Sequence, residues 1–77
     1  MKYSSDIVIH INEKLDNQNR NTLTNKVQKF TGVVTTSLQD SRPHLMIIGY
    51  NRSKTKALDI LNGVKKTGVH AQLIAWL

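Results

Sequence analysis

Thr31-Gly32-Val33-Val34-Thr35-Thr36-Ser37-Leu38 and Thr67-Gly68-Val69-His70-Ala71-Gln72-Leu73-Ile74 decide the fold. Each opens on Thr-Gly-Val, the second 36 residues after the first, and each places an aliphatic residue, Leu38 or Ile74, at the same distance. A glycine here suits the left-handed conformation that ends a helix. Working back from Gly32, apolar residues fall at Leu23, Val27 and Phe30. Spacings of four and three put them on one helical face, so a helix is expected from Asn21 or Thr22 to Thr31, with Asn21 as N-cap. Working back from Gly68, Ala57, Ile60, Leu61 and Val64 recur at i, i+3, i+4 and i+7. That is a second helix, expected to start with Ser53 as its N-cap.

The remaining segments read as strands. Asp6–Asn12 (D-I-V-I-H-I-N) is rich in β-branched residues, and His44–Tyr50 (H-L-M-I-I-G-Y) is the most apolar. Val33–Gln39 is rich in Val and Thr, Asp40-Ser41-Arg42-Pro43 is a turn, and Val69–Leu77 is the last strand. The order is strand-helix-strand twice over. A doubled unit of this length predicts an α+β fold of ferredoxin-like βαββαβ topology: one four-stranded antiparallel sheet with two helices on one face. The whole chain, 1–77, is read as a single domain of this kind. The first and third strands are then central. Both are apolar on both alternations, although the helices cover one face only. The other face is expected to present Val8, His10, Leu45 and Ile47. A sheet facing water normally alternates more cleanly, so an apolar patch there points to a protein partner or a second copy of the chain.

Composition narrows the chemistry. Cysteine is absent, which excludes disulfides, thiolate metal sites and a cysteine nucleophile. No apolar run approaches the roughly 18 residues that a membrane-spanning helix needs. Met1–Asp6 has no signal-like apolar stretch behind it. The expectation is a cytoplasmic protein with no membrane association. Eleven Lys and Arg against five Asp and Glu give a net charge of +6. The cations are spread along the chain, and only Arg52-Ser53-Lys54-Thr55-Lys56 is locally dense. That segment is expected to open the second helix and, with Arg20, to meet a phosphate or an acidic protein. Nucleic acid is an alternative partner. The Lys/Arg-Gly-aromatic pattern of RNA-stacking strands is missing, however, and the aromatics are only Tyr3, Phe30, Tyr50 and Trp76. Trp76 is expected to close the edge of the core.

The element order, the Thr-Gly-Val after the first helix and the ending Leu58-Asp59-Ile60-Leu61-Asn62-Gly63-Val64-Lys65-Lys66-Thr67-Gly68-Val69-His70-Ala71-Gln72-Leu73-Ile74 resemble the heavy-metal-associated domain. That family includes copper chaperones and the N-terminal domains of metal-pumping ATPases. Tyr50-Asn51 sits where its members often carry Tyr-Asp. The resemblance implies the scaffold and a binding site between the first strand and first helix, where the family carries Cys-x-x-Cys. Here Asp16 and Asn19 fall about where the thiols would be. Oxygen and amide groups cannot replace thiolates for Cu(I), and one carboxylate is a poor site even for a hard cation. The motif is degenerate and no cofactor is implied. A metal-binding or metal-chaperone protein with an atypical non-thiolate site is the alternative.

The histidines His10, His44 and His70 lie in or beside strands, with no i, i+4 helical pairing and no carboxylate at ligand spacing. They read as sheet histidines; a metal shared at a dimer interface and a pH-sensitive His10 are the alternatives. Asp16–Arg20 reads as a polar loop, and Arg20 beside it suits an anion. There is no Ser/His/Asp arrangement, no glycine-rich phosphate loop and no paired carboxylates. The expected function is therefore non-enzymatic: an adaptor module acting by protein–protein contact.

Overall fold

The computed structural model describes residues 4–76. Six elements follow in order: β1 (Ser4–Ile11), α1 (Asn17–Gln28), β2 (Val33–Leu38), β3 (Leu45–Asn51), α2 (Ala57–Lys66) and β4 (Ala71–Trp76). The strands form one sheet in the order β2-β3-β1-β4, every neighbouring pair antiparallel. This is the expected βαββαβ topology, with β1 and β3 in the middle.

Alternation explains why the sheet has two different faces. Ile7, Ile9 and Ile11 of β1 and Met46, Ile48 and Tyr50 of β3 point to one side. They pack against Leu23 and Val27 of α1 and Ile60, Leu61 and Val64 of α2. Ile7, Ile9, Ile11, Met46 and Ile48 are wholly removed from solvent. Each such side chain is worth roughly 1.5–3 kcal/mol relative to exposure, so this layer carries the fold. Phe30, just past α1, lays its ring against α2 at Gly63. A Cβ there would stand 2.7 Å from the ring, so glycine makes the room.

Both helices start elsewhere than the apolar spacing suggests. α1 begins four residues earlier than Asn21, because the Asp16 carboxylate accepts the Asn19 N–H at 2.8 Å and caps the helix. Asp16–Arg20 is thus a cap and first turn rather than a loop. α2 begins at Ala57, after Lys56, with no side-chain cap. Ser53 does not cap it: its N–H and hydroxyl both donate to Asn51 Oδ1, at 2.9 and 2.7 Å, and form a turn before the helix. Asp59 in the first turn of α2 offers the helix dipole a favourable charge instead.

The repeated glycines behave as expected. Gly32 has φ +81 and Gly68 φ +107. Gly32 also lies under Thr55, whose Cγ2 would be 2.7 Å from an added Cβ, so the turn before α2 rests on it. The echo between Leu38 and Ile74 does not hold. Leu38 packs against the core, whereas Ile74 is 52% exposed. The β1–β4 register shifts between Val8↔Ala75 and Ile9↔Leu73, leaving Ile74 as the extra residue of a bulge. Trp76 does not close the core either: it ends an edge strand and is 66% exposed. The expected ends of β4 and of the aromatic set, Leu77 and Tyr3, lie outside the described residues. Among the described residues no helix is long and apolar enough to cross a membrane.

Candidate functional site

The sheet face away from the helices is built by the other alternation of the central strands. Val8 stands opposite Ile47, and His10 opposite Leu45. The row through Val8 and Ile47 continues to Ala75 on one side and Ser37 on the other. Gln72 flanks His10. Val8, His10 and Leu45 are half-buried by their neighbours, and Ile47 is 39% exposed. The four residues expected from the sequence therefore share one face, as a compact apolar centre bordered by small and polar side chains.

The cations expected to act together do not. The β1–β3 ladder runs from Ser4↔Asn51 to His10↔Leu45. At about 3.4 Å per residue its ends are roughly 20 Å apart. Arg52, Lys54 and Lys56 follow β3 at the Asn51 end and are exposed. They lie in the turn ahead of α2 rather than inside the helix; only Lys56 touches it, as N-cap residue. Arg20 is at the other end and is mostly buried, its side chain 13% exposed. It donates to the Leu15 carbonyl at 2.8 Å and to Asn17 Oδ1 at 3.1 Å, and pairs with Asp40. Arg20 thus ties the start of α1 to the β2–β3 turn, which is work for the fold.

The segment between β1 and α1 is likewise committed. Asp16 is spent on the cap, and Asn19 on the first turn gives up its N–H to it. Glu13 reaches across to the start of β4. Its carboxylate accepts the His70 N–H at 2.9 and 3.1 Å and lies 2.8 Å from His70 Nδ1. Those bonds, the imidazole contact first, hold the Glu13 carboxyl below its ordinary value of 4.5. A carboxylate therefore does stand beside one histidine, contrary to the sequence reading. Glu13 and His70 are 57 residues apart, a separation at which no sequence spacing signals a contact. A second unforeseen contact joins His10 and His44, whose rings stack with centroids 5.7 Å apart. Among the described residues no three His, Asp, Glu or Cys groups gather as a ligand shell.

The family model of the BRCA1 C Terminus (BRCT) domain matches residues 1–68. The chain belongs to the BRCT family. The match runs from the start of the chain through α2 and ends before β4 of this BRCT-family chain. No curated protein matches its sequence significantly. Its solved structural neighbours are of another kind. A copper-binding domain of the P-type ATPase HMA7 superposes with a TM-score of 0.84 at 15% identity, covering 94% of this chain and 96% of that one. The N-terminal domain of a potential copper-translocating P-type ATPase from Bacillus subtilis gives 0.82 at 16%, covering 96% and 91%. The copper chaperone of Enterococcus hirae gives 0.78 at 15%, covering 88% and 98%. At such identities the likeness is one of fold alone. The resemblance to the heavy-metal-associated domain thus holds for the scaffold of this BRCT-family chain, while the family model that matches is a different one. No thiolate is available in this chain to hold a copper(I) ion. The chain has no cysteine, and Asp16, which the family resemblance puts near the thiol position, is held by the helix it caps.

Proposed function

We propose that this chain is a small non-enzymatic binding module, built on a metal-domain scaffold with a degenerate metal position. It acts by protein–protein contact, with another protein or with a second copy of itself. The contact surface is the open sheet face of Val8, His10, Leu45 and Ile47, assisted at one end by Arg52, Lys54 and Lys56. One observation carries the reading. The Val8–Ile47 pair, with Leu45 opposite His10 beside it, puts apolar groups together on a face that neither helix covers. A partner that removes such pairs from water gains roughly 25 cal/mol for each Å² of apolar surface buried. The cations beside it steer an acidic partner and set which way round it binds. The titratable groups elsewhere support a non-catalytic role, since Asp16, Arg20, Asp40, Glu13 and His70 are engaged with one another or with the backbone.

Size fractionation of native extracts containing the tagged chain, against the Leu45→Ser/Ile47→Ser variant, tests this. The chain is expected in a complex larger than its own 8.7 kDa, and the folded variant as a free monomer. Equal elution of the two refutes the proposal.

A further inference from the structure

Ile11, the last residue of β1, donates its N–H to the His44 carbonyl at 2.8 Å. An antiparallel pair would return that bond from the His44 N–H to the Ile11 carbonyl. The ladder stops at His10↔Leu45, and the return bond comes from the side chain instead: His44 Nδ1 lies 2.7 Å from the Ile11 oxygen. A carbonyl oxygen has no proton to give, so Nδ1 carries the hydrogen. In the neutral ring Nε2 is then the bare nitrogen, its lone pair pointing away from the backbone. Main chain and ring are held by the same residue, so the imidazole is fixed in position and in tautomer. Histidines that bind metal ions are prepared in this way, with one ring N–H on a carbonyl and the other nitrogen open.

A second imidazole stands beside it. His10 is on the open sheet face, opposite Leu45, and its ring centroid is 5.7 Å from that of His44, with the planes 16° apart. No hydrogen bond among the described residues fixes the His10 ring. Satisfying the Ile11 carbonyl needs His44 alone, so His10 has no part in closing the strand end. Zinc–nitrogen bonds run about 2.0–2.1 Å, so rings at this separation reach one ion once His10 turns about its side-chain torsions. Arg42, two residues before His44, is the nearest cation in sequence; Arg52, Lys54 and Lys56 lie at the far end of the ladder.

We propose that His10 and His44 form a two-imidazole site for a borderline divalent cation of the zinc, nickel or copper(II) class. Imidazole nitrogen suits these ions, and two protein ligands leave coordination positions open to water or to a group from a partner. This site is separate from the Asp16 and Asn19 position and does not rest on the protein-contact reading, whose test uses Leu45 and Ile47.

The experiment is a zinc chloride titration followed by imidazole nitrogen NMR. Before zinc is added, the spectrum should show His44 as the Nδ1–H tautomer. Zinc should then shift His10 and His44 together to saturation at one ion per chain and leave His70 in place. His10→Gln should abolish the saturable His44 shift while the backbone amide spectrum stays folded; His44→Gln should abolish the His10 shift. Shifts centred on His70, unchanged binding in His10→Gln, or no saturable shift would each overturn the proposal.

Discussion

Glu13 illustrates how one residue fastens two distant segments of the chain. Its carboxylate takes both the backbone N–H and the ring of His70, and so pins the segment after β1 to the start of β4. The sign of its pH effect follows from the lowered carboxyl. The ionised form is favoured in the folded state, so the stabilisation is present above the ordinary value of 4.5 and is lost as pH falls through the lower folded value. Glu13→Gln should therefore melt below the parent chain at pH 7, and the gap should narrow as pH falls below 4.5. An equal gap at pH 7 and pH 3 would contradict this. Exposure keeps the effect small, because solvent screens a surface pair. Nothing in the sequence pointed to this contact. A residue in a connection and a residue before an edge strand become neighbours only once the sheet is assembled.

At the scale of elements, the strands were readable because they are runs of β-branched and apolar residues between turn and helix signals. Ile7, Ile9 and Ile11 face one way, and Met46, Ile48 and Tyr50 join them. The helix bodies were readable from Leu23 and Val27 and from Ile60, Leu61 and Val64. The helix starts were not. The first turn of α1, Asn17-Gln18-Asn19-Arg20, carries no apolar residue, so periodicity is silent there. Asp16, Asn17, Asn19 and Asn21 are all able to cap, and only the path of the chain from β1 selects Asp16. At α2 the attractive Ser53 was claimed by the Asn51 turn. The bulge that turns Ile74 outward was hidden too, because a register shift leaves no mark on composition. The cap has a measurable consequence. Asp16→Ala should cost about 1 kcal/mol of folding stability with little change in the sheet, seen by chemical denaturation with amide exchange. A loss near zero would mean that the Asn19 N–H is satisfied without the carboxylate.

For the whole molecule, the decisive feature is that the two ends and two faces differ. One face of the sheet holds the core. The other carries Val8, His10, Leu45 and Ile47, and Arg52, Lys54 and Lys56 stand at one end of it. The open face was legible from two-sided apolar strands in a topology with helices on one side. The separation of Arg20 from the other cations was not, because only the β1–β3 register sets the ends apart. Family and fold also divide at this scale. The BRCT match covers residues 1–68, while the fold superposes on a copper-binding domain over 94% of a chain that itself has no cysteine. The likeness to that domain is one of fold, and the face that neither helix covers is where this chain is proposed to bind. The direct measurement is photocrosslinking in cells from a reactive side chain placed at position 47, compared with one at the exposed helical position 66. Discrete protein adducts are expected from position 47, disappearing when Leu45 is also changed to Ser, and none from position 66. Equal labelling from both positions, or adducts from position 66 alone, would contradict this.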